Sequence, residues 1–284
     1  MPEKNNTEKL PRFFNRFRLL IDADIVAMRF ACKHETLHRF PDNDQTLPED
    51  PEAFTVRDEE TAKKEAKEFI ENLMYRAGTE DVLLCFTGKN NWRKRVFPSY
   101  KHNRVGKWVP ELRAILTEYL MEEFHHLRVA ELEADDLMGI LQTELDGFSM
   151  ICTIDKDLMQ IPGWHYNWNS NNPEPVMVEE DEADLWHIRQ TLTGDATDGF
   201  PGCPGIGPKK AAAILADVPG WDKRELWSRV VTAYEQAGKS EQDALDNARM
   251  ARILRHGDFL FQGRGRRKVK LWHPFGDAEW MEVN

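Results

Sequence analysis

This chain has almost nothing with which to build a disulfide or thiolate site. Its four cysteines, Cys32, Cys85, Cys152 and Cys203, lie far apart and form no Cys-x-x-Cys pair. Cys85 and Cys152 sit inside apolar runs, so the expectation is buried free thiols in a reducing compartment. No segment approaches the roughly 20 consecutive apolar residues of a membrane span. The N-terminal region carries no apolar signal-peptide core, so a cytoplasmic protein with no membrane partner is expected. A basic excess is missing too, because the formal net charge is −11. With 284 residues, 41% hydrophobic and 31% charged, the chain suits one large soluble domain or two modest ones.

What is present is acid, concentrated in four places: Asp22 and Asp24; Glu133, Asp135 and Asp136; Asp155 and Asp157; Asp195 and Asp198. Gathered carboxylates repel one another and stay ionised only with a cation among them. A ligand set of oxygens, with no Cys or His pair nearby, suits hard ions such as Mg²⁺ or Mn²⁺. Each cluster also has a plain structural alternative. Asp22 ends an apolar run and fits a helix cap. Glu133 to Asp136 opens a helix, where the dipole favours acids, although three acids in four residues exceed what capping needs. Asp195 to Asp198 is an ordinary solvated turn by composition.

The last cluster runs straight into Gly202-Cys203-Pro204-Gly205-Ile206-Gly207-Pro208-Lys209-Lys210. Gly205 and Gly207 let the chain reverse and let backbone amides approach a ligand closely. Ile206 anchors the turn, and a helix starting behind it presents amides to an anion, with Lys209 and Lys210 adding charge. The basic residues concentrate at Arg93-Lys94-Arg95, Lys101 to Lys107, Lys209-Lys210 and Arg264 to Lys270. Such patches attract a polyanion in spite of the global sign. Metal-dependent phosphodiester chemistry on a nucleic acid follows from the acids and the patches together.

Three short apolar runs, Phe17–Ile21, Val82–Phe86 and Phe148–Ile154, read as buried parallel strands. Helical spacing runs from Ala62 to Met74, ending near Gly78, and again over Leu112–Phe124 and Asp136–Leu145. Alternating strands and helices argue for an α/β doubly wound domain, with ligands beyond the carboxyl ends of the strands, where Asp22 and Asp155 fall. His34–Thr61 is polar, acidic and without periodicity, and reads as an exposed insertion. From about residue 195 the pattern changes to short helices, Lys209–Leu215, Lys223–Ala237 and Ser240–Leu254, followed by a basic strand-like tail, Phe259–Trp272.

The ordered set Asp22, Tyr100-Lys101-x-x-Arg104, Glu133-x-Asp135-Asp136, Asp155-x-Asp157, Asp195-x-x-Asp198 and Gly205-Ile206-Gly207-Pro208-Lys209-Lys210 resembles the 5′-nuclease superfamily of flap endonucleases and polymerase-I-type 5′-exonucleases. The resemblance covers roughly residues 17 to 216. Phe86-Thr87, Asn91-Trp92-Arg93-Lys94, Ala248 to Arg255 and Leu271-Trp272 look like the 5′-exonucleases of T7-like bacteriophages. It implies a parallel-sheet, PIN-like nuclease domain over 17–198, with an arch over about 89–113. An extension over 1–16 would precede it, and a helical region with a helix–hairpin–helix would follow over 199–284. Two Mg²⁺, replaceable by Mn²⁺, are implied: one at Asp22, Glu133, Asp135 and Asp136, the other at Asp155, Asp157 and Asp198, with Asp195 close by. Tyr100, Lys101, Arg104 and Arg29 are implied near the scissile phosphate. Arg93, Lys94 and the hairpin residues Gly202, Gly205, Ile206, Gly207, Lys209 and Lys210 are implied at DNA, with K⁺ at the hairpin. The implied activity is 5′-to-3′ hydrolysis from 5′ ends of duplex DNA by a monomer. Flap cutting and removal of RNA from RNA–DNA hybrids extend it.

One position departs from the family pattern: Thr87-Gly88 stands where many members carry an acid. Two other readings compete. In a haloacid-dehalogenase-type phosphatase Asp22 would be the nucleophile and Asp24 the acid–base, which leaves the Glu133 cluster and the hairpin unused. A non-catalytic DNA-binding module would rest on the gap at Thr87-Gly88.

Overall fold

The structure is a computed structural model, and it describes residues 17–38, 54–171, 173–218, 222–262, 266–276 and 279–283. The expected extension over 1–16 and Arg264 lie outside these residues. β1 (Arg18–Asp22) is the centre of a six-stranded sheet ordered β5-β4-β1-β6-β7-β8. Its neighbours are β4 (Val82–Thr87) and β6 (Ser149–Cys152), both parallel to it. β5 (His126–Val129) and β7 (Gly163–Tyr166) extend the sheet in parallel, and β8 (Val176–Val178) closes one edge antiparallel. Leu19, Leu20 and Ile21 are wholly buried, as a strand covered on both faces requires.

Leu19 and Ile21 point into one core with α1 (Ala23–His34), α2 (Glu59–Ala77) and α4 (Leu112–Glu123). Leu20 points the other way, into a core with α5 (Ala134–Glu144). α2 shows how local sequence sets a helix. Asp58 caps its start by accepting from Thr61 N at 3.1 Å, and Gly78 ends it at φ +67°, the left-handed turn that glycine takes without penalty. The chain leaves β1 towards β4 and β5, then returns to β6 on the other side of β1. That reversal opens a crevice at the carboxyl ends of β1 and β6, the usual ligand position in such sheets.

Beyond β8, α6 (Glu180–Thr193), α7 (Pro208–Ile214), α8 (Lys223–Gln236) and α9 (Glu241–Ala251) share a separate core around Trp227, Val230 and Tyr234. A three-stranded antiparallel sheet follows, β9 (Phe259–Gln262), β10 (Arg266–Lys270) and β11 (Trp280–Glu282). Among the described residues no helix is long and apolar enough to cross a membrane.

The third expected strand is shorter than the apolar run that suggested it, because Phe148 and Ile154 face solvent. The segment read as an insertion has paired ends. β2 (Glu35–His38) and β3 (Phe54–Arg57) form an antiparallel ribbon, and residues 39–53 between them lie outside the described set. Glu35 is buried there and accepts from the Glu111 and Leu112 amides at 3.0 and 2.7 Å, capping the start of α4.

Candidate active site

A cleft of about 810 Å³ opens at the carboxyl edge of the sheet, within the size range of ligand sites. Its walls include Asp22, Asp24, Glu133, Asp135, Asp155, Asp157, Asp195 and Asp198, together with Arg29, Lys94, Tyr100, Lys101 and Arg104. The fold explains the convergence. Asp22 ends β1 and caps α1, accepting from Ile25 N at 3.2 Å. Asp155 follows β6 and accepts from Asp157 N at 2.8 Å, folding the chain into the short 3₁₀ turn Lys156–Gln160. Glu133 stands at the start of α5. Asp195 accepts from the Thr197 and Asp198 amides at 2.6 and 3.2 Å, which curls the 195–198 loop back to the cleft.

Crowding changes the acidity of this set. Burial, then the charges of Asp24 and Asp155, raises Asp22 from 3.8 to about 7. Asp157 is also raised to about 7, by burial and then by Asp155 and Asp195. Asp135 is pushed well up by burial and then by Asp22, Asp155 and Glu133. Asp155 moves in the same direction, by burial and then by Asp198 and Asp195. Glu133 behaves oppositely. Burial would raise it, but Lys101 and Arg93 more than reverse that and hold it at about 2.

The cations hold the carboxylates from one side. Lys101 is bonded to Glu133 and lies 3.4 Å from Asp198, while Arg104 Nη2 donates to Asp198 at 2.6 Å. Tyr100 is almost fully buried, and its hydroxyl donates to Glu133 at 3.0 Å and Asp198 at 2.8 Å. From the cleft wall it thus ties the two carboxylates together. Lys101 has φ +57°, a left-handed backbone uncommon for a side chain of its size. Its amide donates to Asp198 O at 2.8 Å, so the loop contact holds the strain in place.

Among the described residues, no three Asp, Glu, His or Cys side chains are drawn closely enough to enclose an ion as they stand. Glu133 and Asp198 are bonded instead to Lys101, Arg104 and Tyr100. The donor set still fits a divalent cation. It is all carboxylate oxygen, as Mg²⁺ and Mn²⁺ prefer, and burial first, then the neighbouring acids, raises the pKa of four of its members.

Three expected site residues are buried and bonded within the protein. Asp136 is fully buried, accepts from Arg93 and from Trp92 Nε1 at 3.2 Å, and is absent from the cleft wall. Its bonds to Arg93 anchor the start of α5 away from the cleft. Arg93 is 2% exposed at the cleft wall, with its guanidinium on Asp136, Glu133 and the Met250 and Arg252 carbonyls. Gly202 is buried at φ +66°, with its amide on Asn247 Oδ1 at 2.9 Å. A Cβ there would meet Gly194 N at 2.3 Å, so packing against Gly194 explains that glycine.

The other hairpin residues are open. Gly205, at φ +74°, and Gly207 have nothing within 4 Å of a built Cβ. Ile206 packs on the α6–α9 core, Lys209 is exposed, and Lys210 Nζ donates to Gly205 O at 2.9 Å. Lys94 and Arg29 are exposed on the cleft rim.

At Thr87-Gly88 the missing acid is replaced by structural work. Thr87 Oγ1 accepts from Ala134 N at 3.2 Å, and its own amide donates to Asp24 Oδ2 at 2.9 Å. Gly88 is required, since a Cβ would lie 1.8 Å from Val129 O. Sequence reasoning missed Thr153, whose hydroxyl donates to Asp22 at 3.2 Å, and Arg113, Gln160 and Gln190 on the cleft wall. A threonine two residues before Asp155 was a usable signal; single glutamines inside a helix and a turn were not.

A family model, the 5′-3′ exonuclease N-terminal resolvase-like domain, matches residues 55–183. The exonuclease of Escherichia phage T7 is 32% identical over 225 residues, covering 68% of this chain and 74% of that one. A flap endonuclease Xni of Shewanella pealeana is 34% identical over 157 residues, covering 50% and 60%. In fold, the chain is similar to the T5 5′-exonuclease solved with zinc bound, at a TM-score of 0.60 and 16% identity over 83% of this chain and 89% of that one. The comparisons give no support to the phosphatase or non-catalytic readings. With the phage exonuclease matched over almost three quarters of its length, this chain belongs to the 5′-3′ exonuclease family.

Proposed function

We propose that this chain hydrolyses phosphodiester bonds in the 5′-to-3′ direction from the 5′ ends of duplex DNA, acting as a monomer in the cytoplasm. Flap cutting and RNA removal from RNA–DNA hybrids belong to the same reading. The observation that carries it is the convergence of Asp22, Asp135, Asp155 and Asp157 on one cleft, where burial and then the neighbouring acids raise their pKa, with Lys101 and Arg104 on the wall. These four, with Glu133, Asp195 and Asp198, would hold two Mg²⁺ or Mn²⁺. When bound, such ions supply an activated water and positive charge around the attacked phosphate.

The chain's own groups do the rest. Lys101 and Arg104 bring fixed positive charge to the phosphate as negative charge builds in the transition state. Tyr100 keeps Glu133 and Asp198 in register through its two hydrogen bonds, and Thr153 orients Asp22. Asp24, in the first turn of α1, ties that helix to the end of β4 through the Thr87 amide. No side-chain nucleophile is needed, and burial pushes the Cys85 thiol far up, which keeps it inert. Open glycine backbone at Gly205 and Gly207, with Lys209 beside it, suits the phosphates of a duplex and a K⁺ at the hairpin. The test is cleavage of a 5′-labelled duplex and of a small phosphate monoester, each with Mg²⁺ and with EDTA. Mg²⁺-dependent loss of the duplex label with the monoester untouched is expected; hydrolysis of the monoester, or of neither substrate, overturns the reading.

A further inference from the structure

The basic tail serves neither the cleft nor the hairpin. It forms the β9–β11 sheet, with β10 in the centre, and alternation along a strand fixes which side chains share a face. Val269 is fully buried in the second core, with Phe259 and Met281 packed against that core. The register sets Val269 opposite both of them, so this face points inward. The other face carries Arg266, Lys268 and Lys270 from β10. Leu260 lies opposite Lys268 on β9, and Glu282 and Trp280 lie opposite Lys268 and Lys270 on β11. Leu260 is 40% and Trp280 41% exposed. Lys268 has Glu282 at 3.7 Å; among the described residues no carboxylate lies within ion-pair distance of Arg266 or Lys270.

Alternate positions on a strand repeat every ~6.8 Å, close to the repeat of successive phosphates along an extended nucleic-acid strand. Cations in such a row, with an aromatic face among them, are how proteins hold unpaired strands, because every base offers a π-face for stacking. A duplex hides its base faces, so the exposed Trp280 beside Lys270 favours an unpaired strand. The sheet also adjoins the cleft. Arg95 Nη1 donates to Glu282 O at 3.5 Å, and Asn91 and Lys94 of the same segment line the cleft. From the inward face, Arg267 is paired with the buried Glu131, two residues before Glu133.

We infer that the outer face of β9–β11 binds an unpaired DNA strand, with its phosphates along Arg266, Lys268 and Lys270 and a base against Trp280. The identity of the strand rests on the nuclease reading above; the contact rests on the sheet itself. The test is binding of the full chain, in EDTA so that nothing is cleaved, to a blunt duplex and to the same duplex with an unpaired 5′ or 3′ tail. In the variant carrying Arg266→Ser, Lys268→Ser and Lys270→Ser, tailed-duplex affinity is expected to fall about tenfold or more. The slope of log affinity against log salt should shrink by about 0.7 per lost contact, with blunt-duplex affinity within about twofold of the unaltered chain. Trp280→Ala, at an exposed position, should weaken tail binding by about fivefold or more with no change in salt slope. Unchanged tail affinity in both variants, or an equal loss on blunt and tailed duplex, overturns the inference. Failure of the nuclease reading would show separately, as absent Mg²⁺-dependent hydrolysis with tail binding intact.

Discussion

Arg93 and Asp136 meet through two parallel hydrogen bonds of 2.8 Å, with the arginine 2% and the aspartate 0% exposed. The carboxylate also accepts from Leu254 N at 3.2 Å. This pair therefore bolts α3 (Arg93–Val96), the start of α5 and the segment after α9 to one point. Removing one partner leaves a buried charge without compensation, which costs about 3–5 kcal/mol. Arg93→Ala is expected to lower unfolding free energy by about that amount in urea titrations, while Lys94→Ala, one residue on and exposed, should change it by less than about 0.5 kcal/mol. Equal, small effects from both would mean that the pair is not holding the fold.

The contrast between Asp135 and Asp136 shows where sequence reasoning stops. Both follow Glu133 in one acidic run, and nothing in their spelling separates them. Successive residues on a helix point about 100° apart, so one reaches the cleft and the other turns to Arg93. The central strand was legible because Leu19, Leu20 and Ile21 are apolar on both faces, which only a covered strand tolerates. β5 was not, because an edge strand reading His126-Leu127-Arg128-Val129 is largely solvent-facing. Gly202 and Gly205 look alike in the hairpin, yet one is packed against backbone and the other is open. That difference is tertiary, and no local pattern carries it.

Neutralising Asp155 and Asp157 tests the carboxylate cleft directly. Asp155→Asn with Asp157→Asn is expected to abolish cleavage while leaving DNA binding within a few-fold of the unaltered chain. Both acids are raised first by burial and then by neighbouring acids, so removing their charge should leave thermal stability unchanged or higher. Undiminished Mg²⁺-dependent turnover in the double variant would remove these residues from the site.

Burial of the acids, reinforced by their crowding, also sets a pH dependence for the cation-free protein. Asp22 and Asp157 have folded-state values of about 7 against 3.8 for the ordinary group. Between those values the folded state binds more protons than the unfolded one, so stability falls as pH rises through the window. Glu133 works in the opposite sense, but its window runs from 4.5 down to about 2 and lies mostly below. In EDTA the melting temperature is expected to drop between about pH 5 and about pH 8, and Mg²⁺ or Mn²⁺ added at the higher pH should recover it. A melting temperature in EDTA that rises over the same interval would contradict the raised values of Asp22 and Asp157.

Lys101→Ala should slow single-turnover cleavage by about 10²-fold or more, the scale of losing a positioned electrostatic donor. Glu133 and Asp198 also lose a cation that holds them, so the loss should be partly recovered by Lys101→Arg. DNA affinity should change far less, because one phosphate contact among several is removed. An affinity collapse with an unaltered chemical step would make Lys101 a docking residue instead.

The hairpin is assigned to grip and not to chemistry, and its lysines allow the two to be separated. Lys209 is exposed at the start of α7, and Lys210 reaches back to Gly205 O. Changing both to Ala should weaken binding to duplexes of any sequence alike, since backbone phosphates carry no sequence information. The slope of log affinity against log salt should shrink by about 0.9 for each lost phosphate contact. Lys210→Ala alone also frees the Gly205 carbonyl, so it should cost more affinity than its charge accounts for. Single-turnover cleavage at saturating DNA should stay near that of the unaltered chain, because neither lysine lines the cleft. If affinity and salt slope are both unchanged, the hairpin is a structural turn that only joins α6 to α7.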